Sequence, residues 1–344
     1  MTRHWPWVFL ALPLLWLFAP LIVSDHGCIL TAAFPRLLGI HFDYDCDSAG
    51  FIKDALNLPH FPESYNSQRS PLYVIALGLL ALVMHPYIAG LVLNWLMLAA
   101  AFWMAKELAP RNLLPPIFAA IATTDFAHGW QFVVHSTYAN LLVPLGVVYF
   151  FARKSSVWWA SAALGIYPAV GIWLPARWLG DRTWRNAAWA CAAVAPYLAW
   201  MAVVHYVAGV NSISPGYNQF SWLWQPHPDV WGHFEDFASV LWLSFARMPV
   251  FVMMGLILIS PGAVERYMNP FPAKDRVLTG CLVALGMVLG FVMLCGYFAP
   301  RLVTGLDVAL IIALARLWPK PGPMWFVAAV QVAWGFAFPA VSFS

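Results

Sequence analysis

The chain has 344 residues, of which 62% are apolar and only 10% are charged, and its mean hydropathy is +0.71. Soluble domains contain about 45–50% apolar and about 25% charged residues, so this composition excludes a soluble fold. The net charge of +3 is small, and the basic residues lie in short clusters between apolar runs, which excludes nucleic acid as a partner. We predict an all-α integral membrane protein whose first partner is the lipid bilayer.

The first apolar run, from Trp5 to Val23, follows Arg3. It resembles a signal peptide, but no small-residue cleavage site precedes Asp25, and the run nearly reaches the ~20 residues that cross a ~30 Å bilayer core. We predict that it is retained as the first span. Because Arg3 is basic, the positive-inside rule places the N-terminus in the cytoplasm.

Later apolar runs alternate with basic clusters, which the same rule assigns to the cytoplasm. Counting the runs predicts a polytopic bundle of about eleven transmembrane helices, one domain covering residues 1–344. The first extracytoplasmic loop, about 24–85, contains juxtamembrane helices, one of which begins at Pro71. The second large loop covers about 208–240. The run between Arg153 and Arg182 is broken by Pro168, which predicts a hairpin of two short helices.

Acidic residues concentrate on the predicted outer face. Asp43, Asp45 and Asp47 fall within five residues, and like charges this close repel one another unless a cation, a substrate proton or water compensates. The chain has fifteen acidic residues, and seven of them precede position 126 on the predicted outer face: Asp25, Asp43, Asp45, Asp47, Asp54, Glu63 and Asp125. We interpret this loop as a candidate site, with merely solvated acids as the alternative.

Two strings in the first loop, DSAGFIKDA from Asp47 and QRSPLY from Gln68, resemble the first extracytoplasmic loop of GT-C glycosyltransferases. These polytopic enzymes, which include aminoarabinose and protein O-mannosyl transferases, take sugars from polyprenyl-phosphate carriers. The matching positions are Asp47, Phe51, Ala55, Arg69, Pro71 and Tyr73. The late string RLVTGLDVALIIALA, beginning at Arg301, is similar to the family's late arginine and the apolar run after it. Ser48 is a departure, because many members carry a second acid there.

The resemblance implies a GT-C-like fold and a glycosyltransferase that moves a sugar from a polyprenyl-phosphate carrier to an unidentified acceptor on the extracytoplasmic face. A carboxylate would take the acceptor proton, and arginine would stabilise the leaving phosphate. The implied catalytic residues are Asp47 and Asp125, and the implied substrate-binding residues are Arg69, Tyr73, Arg301 and Asp45. For Arg69 the alternative is a structural pair with a loop acid, and for Arg301 an interfacial anchor.

The sequence requires no cofactor, although it leaves open a Mg²⁺ or Mn²⁺ ion held by Asp43, Asp45 and Asp47. A disulfide between Cys28 and Cys46 is also left open, since both lie in the predicted outer loop. The short loops suit a bacterial inner membrane. Two other functions compete with the enzyme: a non-catalytic GT-C-like subunit or lipid-carrier-binding protein, and a transporter. Charges deep inside spans would favour transport, but nearly all charges lie at the ends of the apolar runs.

Overall fold

The computed structural model is helical apart from one pair of short strands in the part of the chain that it describes. It describes residues 5–18, 21–23, 29–31, 47–60, 69–153, 156, 158–207, 222, 228–259, 275–295 and 300–337. The strands are β1 (Leu21–Val23) and β2 (Ile29–Thr31). The α-helices, numbered in chain order, are α1 (Asp47–Leu56), α2 (Pro71–Ala81), α3 (Pro86–Leu108), α4 (Leu114–Ala122), α5 (Asp125–Trp130), α6 (Leu142–Ala152), α7 (Trp158–Ile166), α8 (Trp173–Gly180), α9 (Trp184–Val207), α10 (Val230–Ala246), α11 (Pro249–Ile259), α12 (Arg276–Leu294), α13 (Pro300–Thr304), α14 (Leu306–Leu317) and α15 (Pro321–Ala337). Short 3-10 helices lie at Leu58–His60, Arg111–Leu113, Ser136–Leu141 and Pro168–Ile172, and a longer one at Trp5–Phe18.

Among the described residues, three helices are long and apolar enough to cross a membrane: α3, α12 and the Trp184–Val204 part of α9. Helices α10 and α11, bent by 91° at their junction, count as a fourth if the pair forms one span. The chain is therefore a helical protein with helices suited to a bilayer. The predicted count of about eleven spans is not confirmed. The other apolar helices have at most 17 residues, about 25 Å at ~1.5 Å per residue, which is less than the ~30 Å bilayer core.

The N-terminal apolar run differs from the single continuous span predicted for Trp5 to Val23. It forms the 3-10 helix Trp5–Phe18 and then β1, which pairs antiparallel with β2. Prolines at positions 6, 13 and 20 each remove a backbone donor that an α-helix would use, which accounts for the departure from α-helical geometry. The 3-10 helix packs on α4, and the Trp7 ring contacts Phe118 edge-on with centroids 5.5 Å apart.

Helix α6 lies at the centre of the packing, and every residue from Leu142 to Phe150 is buried. It packs against α8 and α12. Gly146 leaves room for the Trp173 ring, whose Nε1–H donates to the Val143 carbonyl at 2.8 Å. Such close approach at small residues is how helices gain packing energy in a bilayer, where burial of apolar surface gives little.

The predicted break at Pro168 is confirmed, because α7 and α8 are separated by the 3-10 helix that begins there. Helix α10 begins at Val230, inside the predicted second outer loop of about 208–240, and the limits of that loop relative to the membrane stay a prediction. The Asp229 carboxylate caps this helix by accepting a hydrogen bond from the Gly232 N–H at 2.8 Å. Glu235 and Asp236, two polar residues near the end of the predicted loop, are exposed on this helix, whereas His233 is buried. Which side of the membrane each loop faces stays a prediction.

Candidate functional site

Asp47, the predicted catalytic base, is the first residue of α1, and its side chain lies outside the described part of the structure. The next residue, Ser48, is 7% exposed, and its hydroxyl accepts a hydrogen bond from the Val134 N–H at 3.1 Å. This bond anchors the start of α1 to the segment that follows α5. Ser48, at the position where many GT-C members carry a second acid, therefore joins the first polar loop to the next one.

Arg69 forms an ion pair with Asp54 across the interface between α1 and α2. Its Nε lies 2.8 Å from Asp54 Oδ2, and the two side chains are 14% and 8% exposed. The guanidinium also stacks over the Phe51 ring, 4.2 Å from the centroid. A β-carbon at Gly50 would collide with this guanidinium, so glycine is needed for the close approach. The structure thus contains the structural pair considered as the alternative for Arg69, and a role in phosphate binding stays a prediction.

The ionised form of Asp54 is stabilised by nearby positive charges but destabilised by burial. Burial raises the pKa of its carboxyl, and the nearby Arg69 and Lys53 charges oppose that increase. Because desolvation is the larger effect, the carboxylate depends on Arg69 to remain ionised.

Tyr73, predicted to bind substrate, is 1% exposed. Its ring packs edge-on against Phe51, with centroids 5.3 Å apart, and Phe51 in turn packs against His135 at 4.6 Å. Tyr73 is therefore part of the packed α1–α2 interface in this structure, and its predicted contact with substrate stays a prediction.

A second group of charged side chains, on α5, on α14 and just after α10, is largely shielded from solvent: His128 and Asp307 are fully buried, and the side chains of Asp125 and Arg247 are 8% and 15% exposed. Asp125 is the first residue of α5, and its carboxylate pairs with the Arg247 guanidinium at two points. Arg247 Nε lies 3.1 Å from Asp125 Oδ2, and Arg247 Nη2 donates to Asp125 Oδ1 at 3.3 Å. Bidentate pairs of this kind are the stronger ion pairs in proteins. Burial raises the pKa of Asp125, and Arg247 opposes the increase.

Asp307 and His128 complete this group, which we call the buried charge cluster: Asp125, His128, Arg247 and Asp307. Asp307 is 0% exposed, neither of its carboxylate oxygens has a hydrogen-bond partner in the described part, and it is repelled by the Asp125 charge. Burial, and then the Arg247 charge, lower the pKa of His128 to about 4, so the imidazole is neutral near pH 7. The cluster then holds two carboxyl groups and one guanidinium.

Three of these four residues, His128, Arg247 and Asp307, were not among the site residues predicted from the sequence. The sequence did contain a signal for Asp307, which is an acidic residue inside an apolar run. Burying such a residue costs free energy, so its presence indicates a function or a buried partner. It lies six positions after Arg301 in the late apolar run. Asp307 is thus an exception to the prediction that nearly all charges lie at the ends of the apolar runs.

The turn after α5 is held in place by α3, one of the three helices long and apolar enough to cross a membrane. Asn94, 0% exposed, donates from Nδ2 to the carbonyls of Gln131 and Val133 at 2.9 Å each and to that of Trp130 at 3.3 Å. The same turn ends at Val134, to which Ser48 binds. One buried amide therefore supports the segment on which both polar loops meet.

Replacing Asn94 with leucine is expected to lower the free energy of unfolding by about 1–3 kcal/mol, because the substitution leaves buried carbonyl oxygens unsatisfied. The measurement is unfolding of the purified chain in mixed detergent micelles. Asn112→Leu, at an exposed asparagine, is the matched control and should have little effect. Equal stabilities of the two variants would contradict the supporting role of Asn94.

The remaining predicted site residues are only partly described. Arg301 lies in α13, which packs against α5 and against the 3-10 helix Ser136–Leu141, but its side chain lies outside the described part. Asp43 and Asp45, and likewise Cys28 and Cys46, lie outside the described residues. Within the described residues no group of three or more metal-binding side chains occurs. A Mg²⁺ or Mn²⁺ ion at the three loop aspartates stays a prediction.

The fold and the buried charge cluster define a class: a helical protein with helices long and apolar enough to cross a membrane, which encloses ionisable side chains between its helices. The chain matches no protein-family model, and the comparisons with curated proteins and with solved structures found no similar protein. The resemblance to GT-C glycosyltransferases thus depends on the short motifs in the first loop and around Arg301.

Proposed function

We propose that the protein is a GT-C-type membrane glycosyltransferase, which moves a sugar from a polyprenyl-phosphate carrier to an acceptor on the extracytoplasmic face of a bacterial inner membrane. The observation that supports the proposal best is that α1 and α13 both contact one segment of the chain, residues 125–141. Helix α1, which begins at Asp47, is tied to this segment by the Ser48–Val134 hydrogen bond, and α13, which contains Arg301, packs on it. Three residues predicted from separate motifs, Asp47, Asp125 and Arg301, lie on these elements.

In the proposed reaction, an acceptor hydroxyl or amine attacks the anomeric carbon of the sugar. The Asp47 carboxylate accepts the proton that the nucleophile loses, which is the role of a general base. The bond between the anomeric carbon and the phosphate oxygen breaks, and polyprenyl phosphate leaves with the electron pair. Arg301 stabilises the charge on that phosphate through its planar set of donors.

In this proposal Asp125 is not the catalytic residue that the resemblance to GT-C glycosyltransferases implied. Both of its oxygens are engaged by Arg247, and it is buried, so it is poorly placed to accept a proton from a substrate. We propose instead that Asp125 fixes α5 against α10 and thereby shapes the segment on which the site is built. This makes it a positioning residue.

Asp47→Asn is expected to lower the rate of sugar transfer by about 100-fold or more, because the amide cannot take the proton. The assay uses the purified chain in lipid nanodiscs with a polyprenyl-phosphate-linked radiolabelled sugar and a mixture of lipid, glycan and peptide acceptors. Appearance of free polyprenyl phosphate is measured by mass spectrometry.

Asp236→Asn is the matched control, because Asp236 is an exposed acid on α10 outside the proposed site. Its rate should equal that of the unsubstituted chain. Full activity of Asp47→Asn would remove Asp47 from the mechanism, and failure of the unsubstituted chain to bind the donor would refute the proposed function.

A second candidate is a non-catalytic subunit that binds the lipid carrier. It is favoured by Ser48, whose hydroxyl is buried and hydrogen-bonded at the position where many GT-C members carry a second acid. The same assay separates the two functions. A non-catalytic subunit would retain the donor in the nanodisc without releasing polyprenyl phosphate, and Asp47→Asn would leave that retention unchanged.

A further inference from the structure

A cleft of about 530 Å³ opens between α7, α8 and the start of α9, away from the site described above. The positive-inside rule predicts that this face is cytoplasmic, because basic clusters flank the hairpin on both sides. The cleft is lined mainly by polar and basic side chains together with two tryptophans: Ser156, Trp158, Arg177, Asp181, Thr183, Arg185, Asn186 and Trp189. Its size is within the range of sites that hold small ligands, about 300–1,000 Å³.

Arg177 is the residue that points to a ligand. It is 7% exposed, and its Nε and Nη1 have no hydrogen-bond partner among the described residues. An arginine stays ionised when buried, so an unpaired buried guanidinium carries a large desolvation cost. A native chain keeps such a group where something outside the described residues compensates it. Because Arg177 also lines the cleft, an anion that enters the cleft would supply that compensation.

The rest of the lining indicates which anion fits. Arg185 adds a second guanidinium at the exposed rim, against the single carboxylate of Asp181, so the lining is net positive. Hydroxyl and amide groups of Ser156, Thr183 and Asn186 add neutral hydrogen-bonding groups. A phosphate presents several oxygens to such a set, and the planar arginine fork matches it in a bidentate manner.

The rim of the cleft is held in place by its own hydrogen bonds. Asn186 donates from Nδ2 to the Asp181 carbonyl at 2.8 Å, and its backbone N–H donates to the Thr183 hydroxyl at 3.3 Å. Trp158 and Trp189 meet edge-on, with centroids 5.9 Å apart, and both are about half exposed. Half-exposed tryptophans are typical of the depth at which lipid headgroups lie.

We propose that this cleft binds a phosphate group, with Arg177 at its base and Arg185 at its rim. Basic pockets between helices on the cytoplasmic side are known to hold anionic headgroups, and the flanking tryptophans agree with a lipid source. A phosphate-bearing solute would satisfy the same groups. The site lies outside the proposed transferase site and does not depend on it.

The test uses the full chain in nanodiscs of phosphatidylcholine alone or with phosphatidylglycerol, and counts retained phosphatidylglycerol by native mass spectrometry. Arg177→Met is expected to lower retention about tenfold, since it removes the charge-assisted hydrogen bonds, whereas Arg177→Lys keeps part of it. Arg111→Met, at an exposed arginine on the same predicted face, is the matched control and should retain phosphatidylglycerol like the unsubstituted chain.

A second arm adds inorganic phosphate to the chain in phosphatidylcholine and measures the shift of its unfolding midpoint. A shift that Arg177→Met abolishes would support the site with a soluble phosphate as its source. Arg177→Met should also be no less stable than the unsubstituted chain in phosphatidylcholine, because it removes a buried charge whose Nε and Nη1 have no hydrogen-bond partner among the described residues. Arg185→Gln, at an exposed position, provides a variant with little risk of misfolding and should also bind more weakly. The proposal would be overturned if the unsubstituted chain bound neither probe, or if the Arg177→Met and Arg185→Gln variants both bound as strongly as the unsubstituted chain.

Discussion

Replacing Arg247 with methionine is expected to lower the free energy of unfolding by about 3–5 kcal/mol. Methionine fills similar space but leaves Asp125 without either of the two contacts that Arg247 makes to its carboxylate. Asp307, buried nearby with no hydrogen-bond partner in the described part, would then repel Asp125 with no cation between α5 and α10 to offset it. Unfolding in mixed micelles measures the loss.

Further substitutions can separate the loss of the Arg247 charge from a general loss of packing as the cause of this destabilisation. Arg247→Met combined with Asp125→Asn is expected to recover about 1–3 kcal/mol, because the uncompensated charge is gone. Asp307→Asn alone should leave stability unchanged or increase it, since it removes a buried charge that has no hydrogen-bond partner in the described part. Arg111→Met is the control for methionine itself. No recovery in the double variant would show that Arg247 acts by packing and not by charge.

Replacing Arg69 with methionine is expected to destabilise the α1–α2 interface by about 3 kcal/mol, since it leaves Asp54 buried and unpaired. The loss includes the contact of the guanidinium with the Phe51 ring. Limited proteolysis between α1 and α2 and unfolding in micelles both report it.

The double variant Arg69→Met with Asp54→Leu decides between the two roles considered for Arg69. If Arg69 acts only as the partner of Asp54, the double variant regains stability and keeps the donor affinity of the unsubstituted chain. A role in phosphate binding would leave the donor affinity low even after stability returns. Gly50→Ala provides an independent check, because its β-carbon displaces the Arg69 guanidinium while leaving both charges present.

Asp54 is also expected to make the free energy of unfolding depend on pH, because burial changes the pKa of its carboxyl. Burial raises its folded-state pKa above the unfolded value, so the folded state holds a proton more tightly than the unfolded chain. This carboxyl therefore favours the folded state at acid pH, and its contribution declines as the pH rises through the folded pKa. Asp54→Asn should flatten that part of the pH profile.

The sequence by itself determined the class of the protein and much of its local structure. Composition excluded a soluble fold, and the positions of proline set the start of α2 at Pro71 and the break between α7 and α8 at Pro168. These features are local, because hydropathy and the loss of a backbone donor act within a few residues. The number of spans was not determined in the same way, since an apolar run does not reveal how many of its residues form one helix.

The tertiary structure decided which charged residues meet. Arg247 and Asp125 are 122 positions apart, and no local pattern links them. For Arg69 the sequence left open a phosphate ligand or a pair with a loop acid, and folding identifies Asp54, 2.8 Å away, as the acid; at Ser48, where many GT-C members carry a second acid, folding places a hydrogen bond from the Val134 N–H. Charge pairing in a helical membrane protein depends on which helix faces pack together. That arrangement is a property of the whole chain, so the partner of each buried charge became known only from the packed helices.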